Sequence, residues 1–484
     1  QTYICIRAPF LTLVRTTRYY RTNVLRTYVC IGGSVNQEGT QRDGERIYLC
    51  IDLKTFYASV ECVDRGLDTL VDNLVVADTT RGRGTICLAI TAAMKRLGIR
   101  NRCRIFEIPA HVRYTVAQPR MRHYMEVSAQ IYGTYLEYIS PEDIHVYSVD
   151  ECFIDATPYL SLYNCDARTF ALELMGAVKK RFGILATAGI GTNLFLAKVA
   201  LDITAKHVED GVGLLDEELF RQHVWNHRPI TDIWGIGPGI ARRLKRLGAI
   251  DLKGITQLPE EALYKEFGVN AEYLIDHAWG QEPCTMADIH TYRPLTSSFS
   301  KGQVLCRPYS FEEGRTILRE MVELLSFDLL EKRAVCDRIS LYIGYAKSKG
   351  QTKTHDSAVF VGEHGAQNMT RNPNLYVTGS RKLPEQTDSF SLLFSYFDAL
   401  YRTIVDERRT IKRLNIGVGN LVPEELRTCT LFSGCESETD ERNLQDAILD
   451  VKRRYGKNAL VRGASYRKEA TGRERNEQVG GHRA

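Results

Sequence analysis

Apolar and polar positions divide the first half of the chain into predicted strands and helices that alternate. Residues 47–52 form an almost continuous apolar run, typical of a buried strand, and residues 56–63 follow with apolar positions at helical spacing. Residues 146–156 alternate and turn as a hairpin would, and residues 167–182 have the spacing of a helix. This order predicts an α/β domain whose functional site lies at strand ends.

The pattern changes further along the chain. A strand at 186–190 and a helix at 193–206 are followed by short helices with Gly and Pro breaks at 211–283, and then by a linker at 283–294. From residue 297 the pattern predicts, in order, strand 297–305, helix 312–330, strand 335–346, strand 357–361, helix 389–407 and strand 411–419. This βαββαβ order is the split ferredoxin-like pattern.

Composition narrows the class of protein. A chain of 484 residues predicts several domains, and no apolar run approaches the roughly 20 residues of a membrane span. The net charge of +5 is modest, so any binding of nucleic acid must depend on local basic patches. The thirteen cysteines are scattered, without a Cys-x-x-Cys pair, and several lie in apolar runs. We therefore expect a reducing, cytoplasmic compartment and no zinc site.

Three acidic residues stand where strands are ordinarily apolar. Asp52 ends the first apolar run, and Asp150 and Glu151 lie at the tip of the predicted hairpin. Carboxylates at strand ends are costly to bury unless they are paired or bound to metal, and three together suit Mg²⁺. Two such ions ~4 Å apart would bind the attacking and leaving oxygens of a phosphoryl transfer. The alternative is that each acid is a solvated turn residue or a helix N-cap.

The residues around these acids suggest a nucleotide as the ligand. Phe56 and Tyr57 follow Asp52 by one helical turn and could form an aromatic wall that excludes a ribose 2′-OH. Lys206 and Lys95 could each contact a triphosphate, with Arg96 competing for the second role. The alternatives are core aromatics on an amphipathic helix and ordinary solvated charges.

A glycine-rich motif, Trp-Gly-Ile-Gly-Pro-Gly-Ile-Ala-Arg-Arg-Leu, occupies residues 234–244. Its spacing is that of a helix-hairpin-helix, in which exposed N–H groups at the start of the second helix form an anion site. Gly235, Gly237 and Gly239 would allow a DNA backbone to approach, and Arg242 and Arg243 would add positive charge. The alternative is an ordinary glycine-rich turn between two helices.

Together these motifs resemble the Y-family of DNA polymerases, most closely its bacterial UmuC-type branch. The resemblance extends from about residue 47 to the C-terminus and rests on five ordered segments: IDLKTFYASVEC (51–62), YSVDECFID (147–155), GIGTNLFLAKVALDITAK (189–206), WGIGPGIARRLKRLG (234–248) and KGQVL (301–305).

The resemblance implies a right-hand polymerase of mixed α/β and α+β class. Its implied parts are a palm at 44–66 and 112–212, small fingers at 67–111, a helical helix-hairpin-helix thumb at 213–284, a βαββαβ little finger at 292–422 and a C-terminal tail at 423–484. Residues 1–37 carry arginines but no acid, and we expect 1–43 to be a poorly ordered extension.

The same resemblance assigns roles to individual residues. Asp52, Asp150 and Glu151 would hold two Mg²⁺ ions, and Leu53 would offer its backbone carbonyl. The remaining roles are a steric gate at Phe56 and Tyr57 with Tyr57 against the deoxyribose, triphosphate contacts at Lys206 and Lys95, and DNA contacts at Gly235, Gly237, Gly239, Arg242 and Arg243.

The implied activity is DNA-directed DNA polymerisation, a low-fidelity translesion synthesis in DNA repair and the SOS response. Its partners would be primer–template DNA, deoxynucleoside triphosphates and the sliding clamp, and the protein would act as a monomer away from membranes. The expected clamp-binding peptide is degenerate, because Leu431 and Phe432 remain while the preceding Gln anchor is lost. Two further departures are Lys54, where many relatives have an acid, and Ala92, where many have an aromatic residue.

Two rival functions remain open. Another two-metal enzyme with the same kind of palm, such as a nucleotide cyclase, would explain the acids but not the helix-hairpin-helix. A non-catalytic accessory protein that binds damaged DNA would explain the fold, but it would have no need of all three carboxylates.

Overall fold

The computed structural model describes residues 46–292, 298–346, 359–360, 368–372, 375–428 and 435–483. They fall into two compact units, which divide between residues 293 and 294. The predicted N-terminal extension at 1–43 and the clamp-peptide residues Leu431 and Phe432 lie outside the described residues. None of the helices within the described ranges combines the length and the apolar composition that a membrane span requires.

Eight strands belong to the first unit: β1 (Tyr48–Leu53), β2 (Leu74–Val76), β3 (Ala89–Ile90), β4 (Thr115–Ala117), β5 (Ile144–Val146), β6 (Glu151–Asp155), β7 (Ala186–Gly191) and β8 (Val212–Leu215). Its α-helices are α1 (Phe56–Asp64), α2 (Ala92–Arg96), α3 (Met121–Tyr135), α4 (Thr157–Leu162), α5 (Ala167–Phe182), α6 (Leu194–Val199), α7 (Glu217–His223), α8 (Pro238–Arg246), α9 (Leu252–Thr256), α10 (Glu260–Phe267), α11 (Ala271–Ala278) and α12 (Met286–Thr291).

A five-stranded sheet, in the order β5-β6-β1-β7-β8, is the core of the first unit. The central strand β1 is apolar because both of its faces are covered, and Leu49, Cys50 and Ile51 are at most 1% exposed. It pairs antiparallel with β6 and β7, in a register that sets Asp52 opposite Glu151. The pairing therefore brings two of the predicted acids together.

Helix α6 packs unusually close to β7, because glycines in the strand leave room for it. A Cβ atom at Gly189 would lie 2.1 Å from the carbonyl oxygen of Ala197, and one at Gly191 would lie 2.2 Å from the Ala197 nitrogen. The N-terminus of α6 is capped by Asn193, whose side chain accepts from the Leu196 N–H at 2.8 Å. The helix predicted at 193–206 ends early, at Val199, and the chain continues as a π-helical turn, Ala200–Thr204.

Two smaller substructures complete the first unit. The strands β2, β3 and β4 form a separate three-stranded sheet, which shares a small core with α2 through Val75, Ile90 and Met94. Helices α7 to α11 share a second core, centred on Phe220 and Leu244, that also includes residues of α6. Apolar residues at helical spacing explain this core, and the breaks at Gly and Pro explain why its helices are short.

The second unit is built on an antiparallel sheet with helices packed against it. Its elements are β9 (Phe299–Tyr309), α13 (Phe311–Glu331), β10 (Ala334–Tyr345), β11 (Val359–Phe360), β12 (Asn368–Asn372), β13 (Tyr376–Thr387), α14 (Phe390–Ile404), β14 (Ile411–Gly419), β15 (Val422–Pro423), α15 (Cys435–Tyr455), α16 (Gly472–Asn476), β16 (Gln478–Val479) and β17 (His482–Arg483). The strand order β11-β12-β13-β10-β14-β9, with α13 and α14 packed on the sheet, confirms the mixed α/β and α+β fold class.

The sequence pattern missed one strand of this unit. It put the strand that follows β10 at 357–361, where β11 lies, but β10 pairs with β13 (Tyr376–Thr387) on one side and with β14 on the other. Within the described residues, 359–360 form a short strand paired with β12. The alternation of β13 is weak because Gly379 and Pro384 interrupt it, so its buried positions Val377 and Leu383 give little signal.

The polar C-terminal segment, interpreted from sequence as a tail, is folded onto the second unit. Leu449 of α15 packs against Phe327 and Leu330 of α13. The backbone N–H groups of Thr471 and Gly472 both donate to Oε2 of the buried Glu320, each at 2.9 Å. A small apolar contact and hydrogen bonds to a buried acid help to hold this segment against α13. Its polar composition alone does not predict that it is folded.

Candidate active site

The three predicted acids meet at one end of the central sheet. Asp52 is the second-last residue of β1, and Glu151 is the first residue of the neighbouring strand β6. The Leu53 N–H donates to the Asp150 carbonyl at 2.8 Å, which fixes the loop before β6 beside the end of β1. All three side chains are partly exposed, so they line an open site rather than a core.

Burial and mutual repulsion raise the pKa values of acids in this site. Burial, followed by the negative charges of Asp150 and Glu151, raises the pKa of Asp52 to about 7, against a smaller opposing effect of Lys198. Burial also raises the pKa of Glu151, although Lys198 and the Cys50 thiol oppose the shift. Asp52 is therefore ionised with difficulty near neutral pH unless a cation joins it.

Glu151 and Asp150 each have a local partner. Glu151 Oε1 forms an ion pair with Lys198 of α6 and accepts from the Cys50 thiol at 3.2 Å. Lys198 also lies 3.2 Å from Asp202, and Ser148 Oγ donates to Asp150 at 2.6 Å. In the part of the chain that the structure describes, no three Asp, Glu, His or Cys side chains gather closely enough to enclose a metal ion.

The donor chemistry nevertheless fits a hard divalent cation. Asp52 and Glu151 lie opposite each other on paired strands with Asp150 in the adjoining loop, and carboxylate oxygens are the donors that such a cation prefers. Lys198 already neutralises part of the charge of Glu151. Sequence reasoning missed Lys198, although a lysine within the apolar run Leu-Phe-Leu-Ala-Lys-Val-Ala, four residues before an acid, is a usable signal for a buried ion pair.

Replacing Lys198 with Met is expected to lower the free energy of unfolding by about 3 kcal/mol. The Lys198 side chain is only 9% exposed, and its removal leaves the carboxylate of Glu151 buried without its cation. Urea unfolding at pH 7.5 would measure the change, with Lys179→Met on the exposed side of α5 as the matched control. A loss equal to that of the control would contradict a stabilising role for the ion pair.

The two aromatic residues of the predicted gate have separate surroundings. Phe56 is 2% exposed and belongs to the core, whereas Tyr57 is half-buried at the edge of the site. Burial and then the charge of Asp150 raise the pKa of the Tyr57 hydroxyl, while Arg102 opposes them. The chain turns into α1 through Thr55, whose φ of 49° is unusual for a residue with a β-branched side chain. Of the two aromatic residues, only Tyr57 lines the site.

One of the predicted cationic residues, Lys95, lies near the acids. Partial burial lowers the pKa of Lys95, Asp52 opposes that shift, and Lys206 adds to it, so Lys95 lies within electrostatic reach of both Asp52 and Lys206. The competing residue Arg96 instead donates to the Leu70 carbonyl. The geometry thus favours Lys95 over Arg96. Arg102, whose charge reaches the Tyr57 hydroxyl, is a further cation that sequence reasoning missed.

The glycine-rich motif forms the predicted turn and helix. Gly235 has φ +85°, Gly237 is the N-cap of α8, and Pro238 is its first residue. Arg242 is exposed, but Arg243 forms an ion pair with Glu266 at 2.7 Å and stacks over Phe267. The turn therefore offers backbone N–H groups and Arg242 to solvent, while the guanidinium group of Arg243 already binds Glu266 and Phe267.

Two family models match the chain. Residues 51–202 match the impB/mucB/samB family, and residues 297–431 match the C-terminal domain of that family. The chain belongs to the impB/mucB/samB family, the Y-family of DNA polymerases. The matched segments include Asp52, Asp150, Glu151 and Lys198 in the first unit, and the family resemblance predicted from the motifs is confirmed.

Relatives from Bacillus subtilis (strain 168) match along almost their whole length. A protein described as a UV-damage repair protein, UvrX, is 28% identical over 90% of this chain and 97% of its own. DNA polymerase IV 2 is 27% identical over 90% of this chain and 99% of its own. A solved Y-family polymerase chimera, Dbh-Dpo4(243-245)-Dbh, matches with a TM-score of 0.55 and 19% identity over 78% of this chain and 99% of the chimera. That structural match supports the Y-family fold.

Proposed function

We propose that this protein is a DNA-directed DNA polymerase that carries out low-fidelity translesion synthesis during DNA repair and the SOS response. It transfers deoxynucleotides from their triphosphates to the 3′ end of a primer. The observation that carries the proposal is the meeting of Asp52, Asp150 and Glu151 at the ends of β1 and β6, where burial and then the charges of the other two acids raise the pKa of Asp52. Relatives named DNA polymerase IV and UvrX support the reaction and its role in repair.

The reaction places negative charge on the attacking and leaving oxygens, and this charge must be stabilised. The primer 3′-oxygen attacks the α-phosphorus of the incoming nucleotide, a new P–O bond forms, and pyrophosphate leaves with the electrons of the broken bond. Asp52, Asp150, Glu151 and the Leu53 carbonyl would hold two Mg²⁺ ions. When bound, these ions supply charge stabilisation for the attacking and leaving oxygens.

Other residues of the chain would position the nucleotide. Lys95 and Lys206 would bind the triphosphate, since Lys95 lies within electrostatic reach of both Asp52 and Lys206. The ring of Tyr57 would lie under the sugar, beside Asp150. The small sheet of β2, β3 and β4 with the five-residue α2 gives the fingers little surface with which to inspect a base pair. Limited inspection supports tolerance of damaged templates.

Primer extension tests this proposal directly. Purified protein with Mg²⁺ is given a labelled primer on an undamaged template and on a template with one abasic site. We expect extension on both, with insertion opposite the abasic site. Binding to the primer–template without any extension would support a non-catalytic accessory protein that binds damaged DNA. Release of pyrophosphate from a nucleotide without any DNA would indicate a nucleotide cyclase.

The glycine-rich turn before α8 gives a prediction that separates DNA binding from folding. Cβ atoms at Gly237 and Gly239 would meet nothing within 4 Å, so neither glycine is required by the protein's own packing. If a DNA phosphate approaches this turn, Gly237→Ala should weaken binding of primer–template about tenfold while the midpoint of thermal unfolding stays unchanged.

Gly235→Ala is the matched contrast. Its φ of +85° makes alanine strained, so we expect it to lower the free energy of unfolding by about 1 kcal/mol. Fluorescence anisotropy at one fixed salt concentration and a thermal melt measure the two properties. Unchanged DNA affinity in both the Gly237→Ala variant and a Gly239→Ala variant would count against a phosphate contact at this turn.

The proposal extends to partners and location. Leu431 and Phe432 would provide a weakened contact with the sliding clamp, which a pull-down with both residues replaced by Ala would test. We further propose that the protein acts as a monomer in the cytoplasm. Nine of the cysteines within the described residues are free thiols, which suits a reducing compartment.

A further inference from the structure

A continuous chain of contacts runs from Tyr57 into the interior of the first unit. The ring of Tyr57 stacks on that of Tyr124 in α3, with centroids 4.6 Å apart and ring planes 20° apart. The Tyr124 hydroxyl donates to Glu61 Oε1 at 2.6 Å, and Arg120 Nε donates to the same oxygen at 2.8 Å. Tyr57 and Glu61 are four residues apart in α1, so they share one face of that helix.

We propose that Tyr124, held by Glu61 and Arg120, is a positioning residue that fixes the ring of Tyr57 and thereby sets the discrimination between deoxyribonucleotides and ribonucleotides. This inference rests on the proposed function, in which Tyr57 is the sugar gate. Tyr124 and Glu61 are fully buried, so neither touches the nucleotide, and their effect passes through Tyr57.

The Glu61 carboxylate holds the Tyr124 side chain rigidly in place behind Tyr57. A fully buried carboxylate is costly unless several donors reach it, and Glu61 receives hydrogen bonds from Tyr124, Arg120 and Arg65. Although burial alone would raise the pKa of Glu61, these three partners together hold it below its usual value. The ionised Glu61 therefore anchors Tyr124 by a charge-assisted hydrogen bond, which is roughly twice as strong as a neutral one.

Further contacts tie α1 to α3 at the same place. Arg120, just before α3, also pairs with Asp64 at the end of α1, and His123 Nε2 lies 2.9 Å from the same carboxylate. The two helices are thus joined next to the Tyr124 ring. The ring cannot withdraw from Tyr57 without breaking its buried hydrogen bond to Glu61.

Rigidity matters because the gate must reject a group as small as one hydroxyl. If the ring of Tyr57 could retreat by even part of an ångström, a ribose 2′-OH would be accommodated with little cost. Removing the Tyr124 ring leaves an empty volume behind Tyr57 into which its ring can move. A loosened gate admits more ribonucleotides, whereas general destabilisation lowers the use of both sugars equally.

The test measures kcat/KM for a deoxynucleotide and for the matching ribonucleotide, and takes their ratio. We expect Tyr124→Ala to lower this ratio at least tenfold, mostly through more efficient ribonucleotide use. Tyr124→Phe keeps the ring and should retain the ratio within about threefold. The matched control is Tyr159→Ala, because Tyr159 is also a buried palm tyrosine and donates to Asp143 at 2.7 Å, remote from the gate. It should leave the ratio unchanged even if it lowers stability.

Tyr57→Ala, measured in the same assay, separates failure of this inference from failure of the proposed function. If Tyr57→Ala does not change the ratio, the gate and that part of the proposed function fail. If Tyr57→Ala lowers the ratio and Tyr124→Ala does not, the proposal that Tyr124 positions Tyr57 is overturned. Should Tyr124→Ala fail to fold, Tyr124→Leu retains apolar volume without a flat ring and must lower the ratio in its place. An unchanged ratio with Tyr124→Leu overturns the inference as well.

Discussion

Replacing Asp150 with alanine is expected to slow nucleotide addition by on the order of 10³-fold or more, while binding of primer–template is retained. Asp150 lies in the loop that the Leu53 N–H fixes beside Asp52, and its charge is the second-largest cause of the raised Asp52 pKa. Without it, one of the carboxylates that gather cations is lost. A loss of about 4 kcal/mol in transition-state stabilisation corresponds to that factor.

The same substitution should not lower the stability of the folded protein. Removing a repelling carboxylate lowers the pKa of Asp52, so we expect the free energy of unfolding at pH 8 without Mg²⁺ to stay equal or to rise. Single-turnover extension and a thermal melt on the same preparation measure both effects. Asp143→Ala, a palm carboxylate bonded to Tyr159, is the control and should retain activity. Addition at the parental rate in Asp150→Ala would contradict the proposed site.

The sequence predicts those parts of the site that depend on neighbouring positions along the chain. An apolar run that ends in Asp52 and a hairpin with Asp150 and Glu151 at its tip are local patterns, and both occur in the structure as predicted. Their meeting depends on the register between β1 and β6, which local patterns do not contain. The motif resemblance supplied that long-range information.

The residues that sequence reasoning missed contact partners that are distant in the sequence. Lys198 reaches Glu151 only because Gly189 and Gly191 allow α6 to pack closely on β7. Tyr124 reaches Tyr57 only because α3 packs beside α1. Each looks ordinary in its own segment, one as a helical lysine and the other as a core tyrosine. Close approach of two elements separated by many residues is a tertiary property, so neither partner could be assigned from spacing.

The second unit shows a different reason for error. The strand β13 carries Gly379 and Pro384 and so lacks the alternation that identifies a strand, yet pairing with β10 along most of its length stabilises it. Residues 359–360 show the stronger local pattern but form only a short strand beside β12. Tertiary pairing thus overrides local propensity in this sheet.

Replacing Tyr57 with alanine is expected to lower the preference for deoxynucleotides over ribonucleotides by on the order of 10²-fold, with deoxynucleotide use largely retained. Tyr57 is the proposed gate residue and lies within electrostatic reach of Asp150, whereas Phe56 lies in the core. Loss of the ring opens the space that a 2′-OH would occupy and removes no group that holds the triphosphate. The ratio of kcat/KM values for the two sugars measures the effect.

Phe56→Leu is the matched control, because it alters the neighbouring aromatic residue without opening the site. It should lower the free energy of unfolding by about 1 kcal/mol and leave the sugar ratio nearly unchanged. Tyr57→Phe, which keeps the ring that stacks on Tyr124, should retain most of the discrimination. Equal sugar ratios in the parent protein and in Tyr57→Ala would assign the discrimination to another residue. A large effect of Phe56→Leu would instead place the gate one position earlier, so the two substitutions decide which ring faces the sugar.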